Sequence, residues 1–87
     1  YRIDLGEIEC ALCAHPQVSG GCCLFNPQSE QIIAVYAGDA EEKLLLRALK
    51  EKLPKYMLPD VFLCRDELPL TGNGKIDRVQ LKKEVIG

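Results

Sequence analysis

The chain has 87 residues, and 11 Lys and Arg residues against 13 Asp and Glu residues give it a net charge of -2. This length allows one small domain, which buries too little surface to enclose a ligand cavity by itself. Nucleic-acid binding is excluded because it needs clustered positive charge. The longest apolar run, residues 32–37, is far shorter than the roughly 20 residues of a membrane-spanning helix. We therefore expect a cytoplasmic domain without nucleic-acid or membrane partners.

The amino end of the chain indicates that more polypeptide precedes it. The chain begins at Tyr1 rather than at an initiator Met, and its first residues are already dense in motif positions. We therefore expect residues 1–87 to be one domain of a longer protein, whose remaining part contributes to the function. No repeat, low-complexity tract or linker divides the chain further.

The first predicted element is a helix over residues 4–15. Its apolar side chains recur at steps of three and four and so share one helical face: Leu5, Ile8, Ala11 and Leu12. Pro16 ends this helix. Glu7 and Glu9 lie in its first turns, where acidic side chains favour the positive end of the helix dipole, and we interpret both as structural acids.

A β-hairpin is predicted next. Residues 18–25 and 31–37 are apolar and rich in β-branched side chains, as strands are. The intervening residues 26–30 include Asn, Pro and Ser, which favour a turn and make the pair antiparallel. Gly20 and Gly21 weaken the first strand and indicate either a bulge or the true start of the strand.

The second predicted helix covers residues 40–53. Asp39 and Glu42 have the spacing of a capping box, in which the first side chain accepts from backbone donors of the first turn. Leu45, Leu49 and Leu53 form its buried face.

The last third of the chain alternates stiff and turning segments. Pro54 and Pro59 bracket a connector, and residues 61–64 have the composition of a strand. Residues 68–71 are expected to be extended, residues 72–74 to reverse the chain, and Asp77 to cap a helix over residues 78–86. The predicted fold is a small α+β domain, with two to three helices packed on a three-stranded, mainly antiparallel sheet.

Five cysteines raise the question of a metal or redox site. Cys10 and Cys13 form a C-x-x-C pair. The second pair, Cys22 and Cys23, is adjacent in a strand, where neighbouring side chains point to opposite faces and do not share a metal. His15 is better explained as a cation at the carboxyl end of the first helix. We therefore predict free thiols and no bound metal.

Lys75 follows a glycine in a loop, as the lysine of a phosphate-binding loop does. Gly74 precedes Lys75, but Pro69 stands where the phosphate-loop motif has Gly, and Ile76 stands where it has Ser or Thr. By position alone Lys75 is a solvated residue of a turn. The single His and the scattered carboxylates assemble no set for nucleophilic or acid–base catalysis. The residues by themselves leave the chemistry open.

Two segments near the ends of the chain nevertheless resemble motifs of one enzyme family. Residues 1–9, YRIDLGEIE, resemble the eighth core motif of amino-acid adenylation domains, and residues 68–78, LPLTGNGKIDR, resemble the tenth. Residues 15–18 and 53–59 are also similar to that family. The chain thus looks like the C-terminal subdomain of an adenylate-forming ligase, of the kind found in nonribosomal peptide synthetases and D-alanine carrier-protein ligases.

The resemblance implies a reaction in two steps. An amino acid or other carboxylate and ATP first give an acyl adenylate and pyrophosphate, and a thiol then takes the acyl group and releases AMP. Lys75 matches the family's catalytic lysine, and Gly72, Asn73 and Gly74 match the loop that brings it to the nucleotide. ATP and Mg2+ are expected to be bound mainly by a large N-terminal adenylation subdomain, which is an implied partner of this chain.

The resemblance also implies that this subdomain is a mobile lid that rotates for the second step. Arg2 and Gly6 would then line a tunnel for the phosphopantetheine arm of an acyl or peptidyl carrier protein. Asn73 and Asp77 favour a carrier protein over CoA as the acceptor. The alternatives are an acyl-CoA ligase lid and a non-catalytic interaction module that keeps the lid fold.

Overall fold

A computed structural model describes residues 3–87 and shows a three-layer arrangement of helices and one sheet. Arg2, which is part of the predicted tunnel, lies outside the described residues. The elements in chain order are α1 (Leu5–Cys13), β1 (Val18–Asn26), β2 (Gln31–Gly38), α2 (Glu42–Lys52), a short 3-10 helix (Lys55–Met57), β3 (Val61–Cys64) and α3 (Arg78–Val85). Within residues 3–87 every helix is too short or too polar to cross a bilayer.

Helix α1 begins where the sequence predicts. The Asp4 carboxylate accepts hydrogen bonds from the backbone N–H groups of Gly6 at 2.9 Å and Glu7 at 3.4 Å, which satisfies donors of the first turn. Ile8 and Leu12 are completely buried on the predicted apolar face. The helix ends at Cys13, two residues before the predicted end, because the chain already turns ahead of Pro16.

The predicted hairpin is confirmed, and the sheet is mixed. Strands β1 and β2 pair antiparallel, with a register shift between Val18 and Gly20 that is the predicted bulge. Strand β3 pairs parallel to β2, so the strand order is β1-β2-β3. A parallel neighbour needs a crossover, and α2 with the following 3-10 helix provides it.

Alternating residues of the strands face two apolar clusters, one on each side of the sheet. Cys23, Ala34 and Tyr36 join the cluster that contains the buried residues of α1 and α2. Cys22 and Val35 join the cluster on the opposite face, which contains Leu81 of α3. The sheet therefore separates α1 and α2 from α3, and the prediction that Cys22 and Cys23 diverge is confirmed.

The predicted capping box of α2 is wrong. The helix starts at Glu42, and its capping position is Glu41, whose side chain makes no capping hydrogen bond. Asp39 lies further upstream, and its backbone N–H donates to the Gln17 carbonyl at 2.9 Å. This bond ties the end of β2 to the start of β1, so Asp39 is held out of the helix. The buried face is as predicted, with Leu45 and Leu49 fully buried.

The capping prediction for α3 is confirmed. The Asp77 carboxylate accepts from the Gln80 backbone N–H at 3.0 Å, and the helix runs to Val85, one residue short of the predicted end. Leu81 is the fully buried residue of this helix.

Gly38 at the end of β2 has a conformation that side chains rarely adopt, and it offers a stability test. Its φ is 130°, and a Cβ there would lie 2.2 Å from the Gln17 carbonyl oxygen. We expect Gly38→Ala to lower the free energy of unfolding by about 3 kcal/mol, because both the backbone and the clash must be relieved. Urea denaturation measures this.

Gly72→Ala is the matched control for that measurement. A Cβ at Gly72 meets no atom within 4 Å, so the change should be within about 0.5 kcal/mol. Equal effects of the two substitutions would contradict the link between β2 and the start of β1.

Candidate functional site

Lys75 lies near the tip of a small hairpin that projects from the sheet. Leu70 and Ile76 form an isolated antiparallel bridge at its base. Within the hairpin the Thr71 N–H donates to the Lys75 carbonyl at 2.7 Å, and the Gly74 N–H donates to the Thr71 carbonyl at 2.9 Å. The Lys75 N–H donates to the Thr71 hydroxyl at 3.3 Å. The backbone of Lys75 is thus held on both sides while its side chain is exposed.

The two glycines of this hairpin differ in their roles. Gly74 has φ of 80°, a left-handed conformation that favours glycine. Gly72 has no such φ and open space around it. With Asn73 between them, these residues form the predicted loop beside Lys75, and all are exposed. A tight turn that requires one glycine therefore precedes the lysine directly.

The base of the hairpin is anchored to the domain. Ile76 packs against the apolar cluster that contains Leu81. The Asp77 backbone N–H donates to the Pro69 carbonyl at 2.8 Å, while the Asp77 side chain caps α3. Lys75 is therefore separated by a single packed residue from the residue that starts a helix.

An ion pair links α3 to α1 around the outer side of β1, and sequence reasoning did not find it. The Arg78 guanidinium donates to both carboxylate oxygens of Glu9, with an Nη2–Oε1 distance of 2.5 Å and a second bond from Nη1 to Oε2. Glu9 Oε2 also accepts from the Cys23 backbone N–H at 3.1 Å. We call Glu9, Arg78 and the Cys23 N–H the edge clamp. Glu9 is thus more than an acid at the start of a helix.

The two charged groups of the edge clamp shift each other's pKa in opposite directions. Burial raises the pKa of Glu9, but the hydrogen bonds from Arg78 and the Cys23 N–H, with the charge of Arg78, outweigh it, so the net pKa lies below its usual value. The hydrogen bond to Glu9 raises the pKa of Arg78. The Glu9 side chain is 14% exposed and that of Arg78 56% exposed. The pair is therefore a partly buried one, stronger than an ordinary surface salt bridge.

The cysteines offer no metal ligand set in the described part of the chain. Burial raises the pKa of Cys22 to about 11 and that of Cys23 to about 12, so both are protonated thiols at neutral pH. Cys10 and Cys13 are exposed on the flank of α1, as predicted. Among residues 3–87 no three His, Cys, Asp or Glu side chains gather as a metal site would require, for zinc or for Mg2+. That the protein binds no structural metal stays a prediction.

The surface beside the hairpin does not suit a nucleotide. An open groove of about 550 Å³ lies between the hairpin and the start of β1, and Asp66 and Glu67 contribute to its lining together with apolar residues such as Leu68 and Leu70. The two carboxylates that line this groove would repel a negatively charged polyphosphate. The groove next to Lys75 is therefore lined by negative charge as well as by apolar side chains.

Gly6, which was predicted to line the tunnel, lies apart from the Lys75 hairpin. It is exposed in the first turn of α1, and its N–H is bonded to Asp4. Helix α1 packs on the opposite face of the sheet from Ile76 at the base of the hairpin. The structure therefore brings Gly72, Asn73, Gly74 and Lys75 together and places Gly6 on a separate surface.

Comparison with known proteins defines the family. The model of the AMP-binding enzyme C-terminal domain matches residues 7–75, which include Glu9 and Lys75. The chain belongs to this family, and the predicted resemblance to the C-terminal subdomain of adenylate-forming ligases is confirmed.

Two curated relatives show what kind of enzyme carries this domain. The chain is 44% identical, over 93% of its length, to a linear gramicidin synthase of Brevibacillus parabrevis, of which it spans 1%. It is 41% identical, over 99% of its length, to the L-proline–(L-prolyl-carrier protein) ligase of Pseudomonas fluorescens, of which it spans 18%. The chain therefore corresponds to a small part of each relative.

Solved structures share the fold. NpsA of Klebsiella oxytoca, in complex with 3-hydroxyanthranilyl-AMSN, matches with a TM-score of 0.90 and 28% identity over 100% of this chain and 18% of that one. A fatty acyl CoA synthetase of Mycobacterium tuberculosis matches with a TM-score of 0.84 over 98% of this chain and 18% of that one, but at 22% identity it shows the fold alone. The predicted α+β fold is confirmed.

The edge clamp gives a pH-dependent prediction. We expect Arg78→Ala to lower the free energy of unfolding by about 1–2 kcal/mol near pH 7, because Glu9 keeps its partial burial and loses its counter-charge. The pKa of Glu9 is lower in the folded protein than in the unfolded chain, so its contribution is present above the unfolded pKa and is lost as pH falls through the folded one.

The difference between the two proteins should therefore shrink from about pH 6 to about pH 3 in urea denaturation at a series of pH values. Arg65→Ala is the comparison variant, since it removes an ion pair to Glu84 whose two side chains are 38% and 34% exposed. The hydrogen bond from Gln80, the largest cause of the lowered pKa of Glu84, remains there, so the pH-dependent difference should be smaller. A difference that is constant with pH would mean that the ionised Glu9 carboxylate is not the partner that matters.

Proposed function

We propose that this chain is the mobile lid of an ATP-dependent ligase that activates an amino acid as its adenylate, and that Lys75 is its catalytic residue. The observation that carries the proposal is the exposed Lys75 on a hairpin backbone fixed by three hydrogen bonds, within the segment that matches the family. The resemblance of residues 68–78 to the tenth core motif supports the catalytic role. An ammonium on a short, braced hairpin enters a neighbouring pocket without ordering a long loop.

Lys75 suits the charge problem of the first step. A carboxylate oxygen attacks the α-phosphorus of ATP, a P–O bond forms, and the bond to pyrophosphate breaks, so two anionic groups must approach each other. Lys75 would offset this repulsion with one positive charge, most strongly where negative charge gathers in the transition state. The ammonium is a compact charge with three donors, which matches oxygens from both the carboxylate and the nucleotide.

The rest of the pocket is assigned to a large N-terminal subdomain of the same enzyme. Residues 3–87 supply no metal ligand set, and two carboxylates line the groove nearest Lys75. ATP, Mg2+ and the carboxylate substrate would therefore be held by the partner subdomain, and this chain would contribute Lys75 and the loop of Gly72, Asn73 and Gly74. The two curated relatives, of which the chain spans 1% and 18%, support this division.

The second step would use a different surface of the lid. After rotation Lys75 leaves the pocket, and the surface around Arg2 and Gly6 lines the path of a phosphopantetheine arm on a carrier protein. The arm's thiolate sulfur attacks the acyl carbon, a thioester forms and AMP leaves. The placement of Gly6 and the Lys75 hairpin on elements at opposite faces of the sheet supports this use of two surfaces. Gly6 is exposed and has no side chain, so an arm can approach its backbone closely.

Lys75→Ala in the full-length protein that contains this chain tests the first role. We expect adenylation, measured as ATP–pyrophosphate exchange with the best amino acid of a panel, to fall by about 10²- to 10³-fold, the scale of losing one preorganised electrostatic group. Transfer from a preformed acyl adenylate to the carrier thiol should keep close to its normal rate, because Lys75 is withdrawn in that step.

Lys43→Ala, at an exposed position of α2, is the matched control and should leave both steps unchanged. Equal losses in both steps for Lys75→Ala would indicate a structural role. No loss in adenylation would contradict the proposal and favour a non-catalytic module.

The acceptor thiol can be tested separately. With the same full-length protein and acyl adenylate, we expect thioester formation on a phosphopantetheinylated carrier protein to be at least about tenfold faster than on CoA. Asn73 and Asp77 match the carrier-protein type, and the Pseudomonas fluorescens relative is named as a ligase of a prolyl-carrier protein. Thioester formation measured by mass spectrometry decides the question, and a preference for CoA would identify an acyl-CoA ligase lid.

A further inference from the structure

The edge clamp holds Arg78, which follows Lys75 by three positions in the chain. We propose that Glu9 and Arg78 are positioning residues that fix the Lys75 hairpin relative to α1 and the sheet. This proposal rests on the proposed function of Lys75. Glu9 and Arg78 are 69 residues apart in the chain, so the clamp joins the first and last parts of the domain.

The distance along the chain from Lys75 to the clamp is short. Arg78 is the first residue of α3, three positions after Lys75. The intervening Ile76 is packed and Asp77 is bonded to Pro69, so no flexible segment absorbs a movement of Arg78. A shift of the first turn of α3 is therefore passed to the hairpin.

Apolar packing reaches the first turn of α3 only at its fourth residue, Leu81. Arg78, Val79 and Gln80 are all exposed, Val79 by 68%. The bidentate bonds of Arg78 to Glu9 thus tie these first three residues to α1. Two parallel N–H···O bonds fix direction as well as distance.

Glu9 is itself a well-defined anchor. Its carboxylate is bonded to the Cys23 N–H on the outer side of β1 and is 14% exposed, and it extends from α1 next to the fully buried Ile8. Arg78 Nη1 also lies 3.1 Å from the Cys22 sulfur, so the guanidinium is located by β1 as well as by α1. The hairpin is thus connected, through Arg78, to α1 and to the outer side of β1.

Helix α3 contains a second ion pair that provides a matched control. Arg65 donates to Glu84 at 2.6 Å near the carboxyl end of α3, far along the helix from Lys75. Arg65→Ala and Arg78→Ala each remove an arginine that is paired to a glutamate. Only Arg78→Ala frees the turn that follows the hairpin.

The decisive experiment is a double-substitution cycle in the full-length protein, read by ATP–pyrophosphate exchange. We expect Arg78→Ala alone to lower adenylation by about 10- to 100-fold, since small misplacement of a reacting group has that cost. In the Lys75→Ala background the same substitution should change adenylation by less than about threefold, because there is no ammonium left to misplace. Arg65→Ala should leave adenylation unchanged in both backgrounds.

A second arm distinguishes positioning from folding. Glu9→Gln keeps the shape of the side chain and removes its charge, and it should reproduce the pattern of Arg78→Ala, with the two changes together no worse than either alone. Transfer from preformed acyl adenylate to the carrier thiol should be retained in all these proteins. Equal losses from Arg78→Ala in both Lys75 backgrounds would overturn the proposal and leave the clamp as a stabilising contact.

Hydrogen exchange tests the clamp without any substrate. The backbone N–H groups of Thr71, Gly74 and Asp77 are hydrogen bonded in and below the hairpin, and we expect them to exchange at least about fivefold faster in Arg78→Ala, while Arg65→Ala leaves them unchanged. Unchanged exchange in Arg78→Ala would overturn the positioning role. Faster exchange in Arg78→Ala, together with unimpaired adenylation in Lys75→Ala, would instead count against the proposed function alone.

Discussion

A three-stranded sheet with helices on both faces leaves its outer strand without a partner on one side. In this domain the N–H of Cys23 on β1 meets that need by donating to Glu9 of α1, and the same carboxylate is held by Arg78 of α3. One carboxylate thus accepts a hydrogen bond from the edge of β1 and connects the two helical layers. This connection ties the start of α3, three residues after Lys75, to α1 and to the edge of β1.

The domain combines a fixed backbone with a free functional side chain. Hydrogen bonds between Thr71 and both Gly74 and Lys75, together with the packing of Ile76, restrain the hairpin, while the Lys75 side chain is exposed. In the lid closure proposed for this domain, a backbone ordered in advance would reduce the entropy lost, and the ammonium would be dehydrated only on closing. An exposed lysine in a braced turn is therefore well suited to a residue that has to enter and leave a pocket.

The sequence allowed prediction of features that arise from neighbouring residues. The apolar face of α1, the cap at Asp77, the hairpin and its bulge, and the loop around Lys75 follow from local spacing and turn chemistry. The capping box at Asp39 was wrong because the Asp39 N–H is bonded to the carbonyl of Gln17, in the turn before β1, and α2 starts only at Glu42. The parallel pairing of β3 and the clamp between Glu9 and Arg78 depend on how distant segments meet, and no local pattern reports that.

The burial of two thiols has a practical consequence for spectroscopy. Because Cys22 and Cys23 are buried and protonated, maleimide reagents will react with Cys10, Cys13 and Cys64, which are exposed. Cys64 ends β3 on the opposite side of the sheet from β1. With Cys10 and Cys13 replaced by Ser, a single fluorophore at Cys64 becomes an orientation reporter attached to a native position, at the edge of the sheet away from Glu9 and Arg78.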